Sequence, residues 1–259
     1  MAELASFWIG NGLGPIEMAS LRSFLRHGDS VTVFSPSPLA DLPGGVTWRD
    51  AREILPAQGI LRDRRTSSPA PHADLFRYAL LGQTDMIWVD LDIIALRPFD
   101  GNARWIFGYE DETTVNNAIL RLPKDSQTLR LLRQFHLGTR GIPPFMSGFR
   151  RLKYQVRTLG RGLPIDRWPW GSAGPRGLTH FLRVTGEIRH ARPVSTFYAV
   201  PQHEAARFLV PDGLTMSDLP KEAWAVHLWA KDLRRELDRR HGGKVPEQSF
   251  LGRVLGEAA

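Results

Sequence analysis

Two aspartates one residue apart, Asp90 and Asp92, directly follow the apolar run Met86-Ile87-Trp88-Val89. Whether the chain turns at Leu91 or stays extended, both carboxylates reach one solvent-facing edge, because alternate residues of a strand share a face. Two hard oxygen donors side by side suit Mg2+ or Mn2+, ions that also take phosphate oxygens. Such an ion can neutralise a departing diphosphate, which is electrostatic and Lewis-acid catalysis. His227 sits in the apolar segment Trp224-Ala225-Val226-His227-Leu228-Trp229 and is the histidine best placed to be a third ligand for Mn2+. Lys231, four residues on, would share a helical face with it and approach a phosphate if the chain is helical there. Plainer roles stay open: solvated carboxylates at a strand end, a core histidine and a surface lysine. A phosphatase that uses the first Asp of such a pair as nucleophile expects a small polar turn next. Ile93-Ile94-Ala95-Leu96-Arg97-Pro98-Phe99 follows instead, so that chemistry is set aside.

The elements that must position these residues follow an open α/β pattern. An apolar run over 5–9 predicts a first strand, and a helix is expected over 15–27, with Pro15 at its start and Gly28 at its end. Strands are expected over 31–34 and 46–48, a surface loop over 61–71 and a helix over 72–81. The strand over 85–89 then delivers Asp90 and Asp92 at its C-terminal end, where open α/β sheets bind ligands. Further strands are expected over 104–109 and 118–122, and an amphipathic helix over 125–136 with Leu129, Leu132 and Phe135 inward. Residues 138–177 are rich in Gly, Pro, Trp and Arg, with one helical stretch near 150–159, and read as a variable acceptor-side insertion within a single domain spanning 1–259. In that insertion Trp168 and Trp170 are either a sugar-stacking platform or anchors of the loop to the core. Glu110, Asp111 and Glu112 are either ligand-binding acids or an exposed turn.

Composition narrows the partners. The 259 residues carry 42% hydrophobic side chains, enough for a substantial core, and no cysteine, which excludes disulfides and thiolate metal sites. The net charge of +7 comes mostly from arginines scattered along the chain, without zinc-finger spacing or a basic arm, so no nucleic-acid partner is expected. The charge suits a diphosphate substrate or peripheral contact with anionic headgroups, or is simply that of a soluble surface shaped by composition. No run of about 18 apolar residues and no signal-like start are present, so a cytoplasmic protein without a transmembrane span is expected, with contact at the inner face of the membrane compatible with the charge.

A longer pattern surrounds the acidic pair. It runs Ala73-Asp74-Leu75-Phe76-Arg77-Tyr78-Ala79-Leu80-Leu81, then Ile87-Trp88-Val89-Asp90-Leu91-Asp92-Ile93-Ile94-Ala95-Leu96-Arg97-Pro98. Phe7-Trp8-Ile9-Gly10, Asp50-Ala51, Asn116-Asn117-Ala118-Ile119, Gly174-Pro175 and His227-Leu228-Trp229 extend it. On these residues the chain resembles the DXD-containing glycosyltransferases related to initiating mannosyltransferases and α1,4-galactosyl- or N-acetylglucosaminyltransferases, including bacterial capsule and glycan enzymes. Many relatives carry Gly-Gly before the apolar strand where this chain has Gln83-Thr84-Asp85.

The resemblance implies a GT-A-like fold, a Rossmann-type central mixed sheet flanked by helices with a small variable loop or helical acceptor region. It implies retaining transfer of a hexosyl or N-acetylhexosaminyl group from a nucleotide-sugar, with uridine diphosphate the favoured carrier, to a carbohydrate or other hydroxyl acceptor. Asp90, Asp92 and His227 would hold Mn2+ or Mg2+. Asp74, Arg77 and Asn116 would lie at the donor, Gly174 would shape its pocket, and Lys231 would contact the diphosphate. Asp92, Asn117 and Arg77 would act at the reacting sugar. A catalytically inactive nucleotide-sugar or glycan-binding relative is the alternative.

Overall fold

The computed structural model describes residues 1–10 and 12–256. Its centre is a six-stranded mixed sheet. β1 (Glu3–Phe7), β2 (Ser30–Ser35), β3 (Val46–Asp50) and β4 (Ile87–Val89) run parallel. β7 (Val115–Arg121) is antiparallel to β4, and β6 (Ile106–Tyr109) is antiparallel to β7. The spatial order is β3-β2-β1-β4-β7-β6. β1 and β4 are buried on both faces, which explains their continuous apolar sequences, since parallel strands at a sheet centre are covered on each side. Alternation sorts their side chains: Leu4, Ile87 and Val89 enter one core, Ala5, Phe7 and Trp88 the other.

Helix α1 (Pro15–Arg26) covers the first face through Leu21 and Phe24. Proline occupies its first turn, and Glu17 Oε2 accepts the Gly14 N–H at 2.9 Å, so the helix start is satisfied. α2 (Ala70–Gln83), α3 (Gln127–Leu132) and α5 (Pro175–Thr185) cover the second face, where Phe76 stacks on Phe7 at 4.6 Å between ring centroids. The expected mixed sheet flanked by helices is the architecture formed.

A second, smaller pairing matters more for function. β5 (Ile93–Ala95) leaves the main sheet and pairs antiparallel with β10 (Ala225–His227), placing His227 opposite Ile93. α1 stitches this ribbon down: Ser20 Oγ donates to the Ile93 carbonyl at 2.7 Å, and Ser23 Oγ accepts the Ala95 N–H at 2.9 Å. β10 leads into α6 (Ala230–His241), and α7 (Phe250–Gly256) packs behind with Phe250 and Val254 in the core.

Several elements differ from their expected bounds. α3 stops at Leu132, because Gln134 and Phe135 donate to the carbonyls of Leu131 and Leu132, the tighter i to i−3 pattern that closes a helix. β7 begins at Val115, three residues before the expected strand, so Asn116 and Asn117 lie within it as buried polar residues. In the 138–177 segment, β8 (Arg140–Gly141) and β9 (Leu163–Pro164) form a two-stranded base from which α4 (Gly148–Arg157) projects. Among the described residues no helix is long and apolar enough to cross a membrane.

Glu187 ties the second face together. Its Oε2 accepts from Ser126 Oγ at 2.7 Å and the Thr128 N–H at 3.0 Å, and Oε1 accepts the Gln127 N–H at 2.8 Å, so it caps α3 from the far end of α5. Burial alone would raise this carboxyl, but the hydrogen bonds from Thr128, Ser126 and Gln127 outweigh it and hold Glu187 below the ordinary glutamate range. The stabilisation is therefore present above the unfolded-state pKa and lost as pH falls through the lowered folded one. We expect Glu187→Gln to cost about 1 kcal/mol near neutral pH, a typical cap value. The gap to wild type in urea unfolding should close as the solution is acidified; a gap constant with pH contradicts the cap.

Candidate active site

The strand order reverses between β1 and β4, and open α/β sheets bind ligands in the crevice at such a switch point, beyond the C-terminal strand ends. Asp90 is the first residue after β4. Its N–H donates to the Ala118 carbonyl at 2.7 Å, continuing the pairing with β7, and its Oδ1 accepts from Trp88 Nε1 at 2.7 Å. Asp92 lies one step further. Its carbonyl accepts the Leu228 N–H at 2.8 Å, and its Oδ2 accepts the Ala230 N–H at 2.9 Å and faces His227 Nε2 at 3.1 Å. Ala230 opens α6, so the Asp92 carboxylate sits at a helix N-terminus, where backbone N–H groups favour negative charge.

Trp229 takes a left-handed backbone conformation (φ 57°) between β10 and α6, and its ring centroid lies 4.1 Å from that of His227. The expectation that His227 and Lys231 share a helical face is therefore corrected: His227 belongs to a strand and Lys231 to the first turn of α6. The sharp turn at Trp229 nonetheless brings both to one cleft.

Behind the acidic pair is a buried polar group from α2 and β7. Arg77 is almost fully enclosed, with Nη2 3.3 Å from Asp90 Oδ1 and 3.7 Å from Asp74 Oδ1. Its Nη1 donates to the Asn117 carbonyl, and its guanidinium lies 4.6 Å over the Trp88 ring. Asn117 Nδ2 donates to Asp74 Oδ1 at 2.8 Å. Tyr78 Oη donates to the Ala173 carbonyl at 2.8 Å, tying the group to the start of α5. Gly174 caps α5, and a Cβ there would lie 2.7 Å from Asp74 Oδ2, so only glycine lets the helix start close on this carboxylate. Asn116 points elsewhere: its Oδ1 accepts the Ala118 N–H at 2.7 Å and its Nδ2 donates to Glu110 Oε2 at 2.5 Å.

These residues border a cleft of about 610 Å3 lined by Asp74, Arg77, Asp90, Asp92, Asn117 and Lys231. Asn116, Glu110 and His227 also line it, whereas Gly174 lies behind Asp74. A second cavity of about 320 Å3 opens at the end of β1, against Phe7, Trp8 and Ile9, and shares Arg77, Asp90 and Asp92 with the first. The two tryptophans of the insertion part company. Trp168 is buried, and its Nε1 donates to the carbonyls of Leu163 and Gly141, so it anchors the loop. Both border the cleft, but Trp170 is 52% exposed there. Glu110 faces the cleft, while Asp111 caps the exposed turn through Thr113 and Thr114. Arg176 and Gln202 also line the cleft and were not singled out from sequence. Arg176 directly follows Gly174-Pro175, so that motif was the available signal; Gln202 lies in a stretch of 3-10 turns with no motif.

Burial pushes the Asp90 carboxyl up to about 6, against the pull of Arg77 and with Asp92 adding to the rise. Burial also raises Asp74, opposed by Arg77 and Asn117. Burial would raise Asp92 as well, but His227, the Ala230 N–H and Arg234 bring it below the usual carboxylate range. Burial would lower His227, but Asp92, with Asp90 and Glu110, leaves it above the ordinary imidazole value. The two carboxylates thus differ in basicity, Asp90 raised by burial and Asp92 lowered by His227 and the Ala230 N–H.

Among the described residues, no three His, Cys, Asp or Glu side chains are gathered in an arrangement that would hold a metal ion by themselves. The donor chemistry instead fits an ion shared with a ligand. Hydrogen bonds and ion pairs engage Oδ1 of Asp90 and Oδ2 of Asp92, leaving Asp90 Oδ2 and Asp92 Oδ1 without a hydrogen bond among the described residues. His227 Nδ1 is buried and also without a partner. Small hard cations are commonly held by one or two carboxylates and completed by phosphate oxygens.

No family model matches the chain, and no curated protein matches it. Among solved structures, it is similar to the PaToxG glycosyltransferase at 15% sequence identity and a TM-score of 0.42, over 72% of this chain and 69% of that one.

The contact between Gly174 and Asp74 is a sharp test of the site's packing. Asp74 is held by Asn117 and Arg77 and has little room to yield. Gly174→Ala should cost about 1–3 kcal/mol, as overpacking does, read as a lower midpoint in urea. An unchanged midpoint contradicts the close approach.

Proposed function

We propose that the chain is a metal-dependent, retaining glycosyltransferase. It would move a hexosyl or N-acetylhexosaminyl group from a nucleoside diphosphate sugar, a uridine one on the resemblance of the sequence, to a hydroxyl acceptor. The observation that carries this reading is the convergence at the β1/β4 switch point of two carboxylates, each with one uncommitted oxygen, beside Lys231 and between two adjoining cavities.

The division of space suits such a donor. The smaller cavity, floored by the aromatic end of β1, would take the nucleoside; the acidic pair stands at its border with the larger cleft, which would take the sugar and the acceptor. Asp90, Asp92 and His227 would hold Mn2+ or Mg2+, which when bound neutralises charge on the leaving diphosphate. Lys231 adds a cation on the same side, and its Nζ lies 6.0 Å from the Trp170 ring. Trp170 offers the sugar a flat apolar face. Arg77, locked by Asp74, Asp90 and Asn117, fixes the carboxylate next to the ion without spending its own geometry on the donor. The bond from the anomeric carbon to the diphosphate breaks, a new bond to the acceptor oxygen forms on the same face, and the acceptor proton passes to the departing diphosphate.

The test is a panel of nucleotide-sugars with Mn2+, followed for donor hydrolysis and transfer. We expect one donor to be turned over, and Asp92→Asn to lower the rate by at least about a hundredfold while the protein stays folded at the assay temperature by circular dichroism. Binding of a donor without turnover would assign the chain to the non-catalytic relatives. Failure of every nucleotide-sugar to bind would overturn the proposal.

A further inference from the structure

Among the described residues, α4 buries none of its side chains. Phe149, Leu152 and Val156 are 79%, 54% and 69% exposed, and Leu159 just beyond the helix is 87% exposed. At 3.6 residues per turn, positions 149, 152 and 156 fall on one face. Tyr154, half-buried, lies on the opposite side, so the apolar face points away from the protein body. Lys153, Arg157 and Arg150 border that face on one flank, with Arg151 and Arg161 nearby, and no Asp or Glu occurs from residue 126 to residue 165. None of these five cations forms an ion pair among the described residues.

The helix is also firmly mounted. β8 and β9 close the base of the excursion, where Gly162 (φ 64°) packs directly on the Gly141 backbone, a space no Cβ could share. Trp168 donates to the carbonyls of both base strands. Phe145, just before α4, lies under the Arg176 guanidinium at 4.5 Å, and Arg176 lines the cleft.

We infer that α4 docks the protein onto an anionic lipid surface, with Phe149, Leu152 and Val156 entering the headgroup boundary and the flanking cations meeting lipid phosphates and carboxylates. A helix with an apolar face, a basic flank and low overall hydrophobicity is the form that lies in a membrane interface. Charge complementarity selects this occupant. A second copy of the chain would set five cations against five, whereas an anionic bilayer supplies both an apolar layer and an extended negative surface. The mounting then holds the cleft next to the lipid. The inference stands on α4 and is independent of the reaction proposed for the cleft.

The test is co-sedimentation of the full chain with vesicles of phosphatidylcholine alone or with about a third phosphatidylserine. Binding should require phosphatidylserine and weaken about tenfold in high salt. The triple variant Phe149→Ser, Leu152→Ser, Val156→Ser should bind at least about tenfold less well with an unchanged thermal midpoint, because these side chains are exposed. A second variant, Arg150→Gln with Lys153→Gln and Arg157→Gln, should lose the salt-sensitive part and serves if the first is unstable. No binding, equal binding to neutral vesicles, or wild-type binding by both variants would overturn the inference. So would a lipid-free dimer in sedimentation velocity that the triple variant lacks, which would assign the face to a second copy.

Discussion

A guanidinium buried beneath the sheet's switch point governs the geometry of the site. Arg77 cannot lose its proton, and an unpaired charge in that position would be prohibitively expensive. Asp74 and Asp90 both face its Nη2, the Asn117 carbonyl accepts from its Nη1, and the Trp88 ring lies against it. Four elements are thereby fixed relative to one another: α2 through Arg77 and Asp74, β4 through Trp88 and Asp90, β7 through Asn117, and the start of α5 through Gly174. Buried ion pairs contribute little net stability, but breaking one costs about 3–5 kcal/mol. The network's role is accordingly one of placement: it holds one oxygen of Asp90 so that the other faces the cleft.

Asp92 is positioned by a separate device. The β5–β10 ribbon brings His227 beside it, and the left-handed turn at Trp229 aims the start of α6 at its carboxylate. Two carboxylates adjacent in sequence thus answer to different parts of the fold, one to the α2–β7 network and the other to the C-terminal ribbon. This arrangement explains their opposite tendencies, with Asp90 raised and Asp92 lowered from the ordinary carboxylate range. Both leave an oxygen uncommitted, which suits an ion delivered together with a diphosphate better than one bound permanently.

The first half of the chain was legible because strand, helix and turn signals agree there: β1, α1, β2 and the run into Asp90 lie close to where periodicity and Pro15 and Gly28 put them. Asn116 and Asn117 obscured the start of β7, since a polar pair inside a buried strand breaks the apolar pattern and is tolerated only where Glu110 and Asp74 satisfy it. His227 was recognisable as a candidate, but its route to Asp92 was not, because the pairing with β5 joins segments far apart in the chain and leaves no local trace. The spacing of His227 and Lys231 would give a shared face only on a continuous helix; the turn at Trp229 places them on two elements. Trp168 and Trp170 look alike in sequence and both border the cleft, and only the hydrogen bonds to the β8–β9 base separate the buried, anchored Trp168 from the exposed Trp170. The helical period near 150–159 was readable, but period alone cannot reveal that an apolar face has no core to meet.

On the proposed function, Asp90 and Asp92 would form an incomplete cation site that a diphosphate finishes. The most direct test is to measure Mn2+ binding to the chain by calorimetry with and without a uridine diphosphate, in wild type and in Asp90→Asn. Weak binding of Mn2+ alone, at least about tenfold tighter binding with the nucleotide, and loss of that gain in Asp90→Asn would match the structure. Mn2+ affinity indifferent to the nucleotide, or a gain that survives Asp90→Asn, would contradict it.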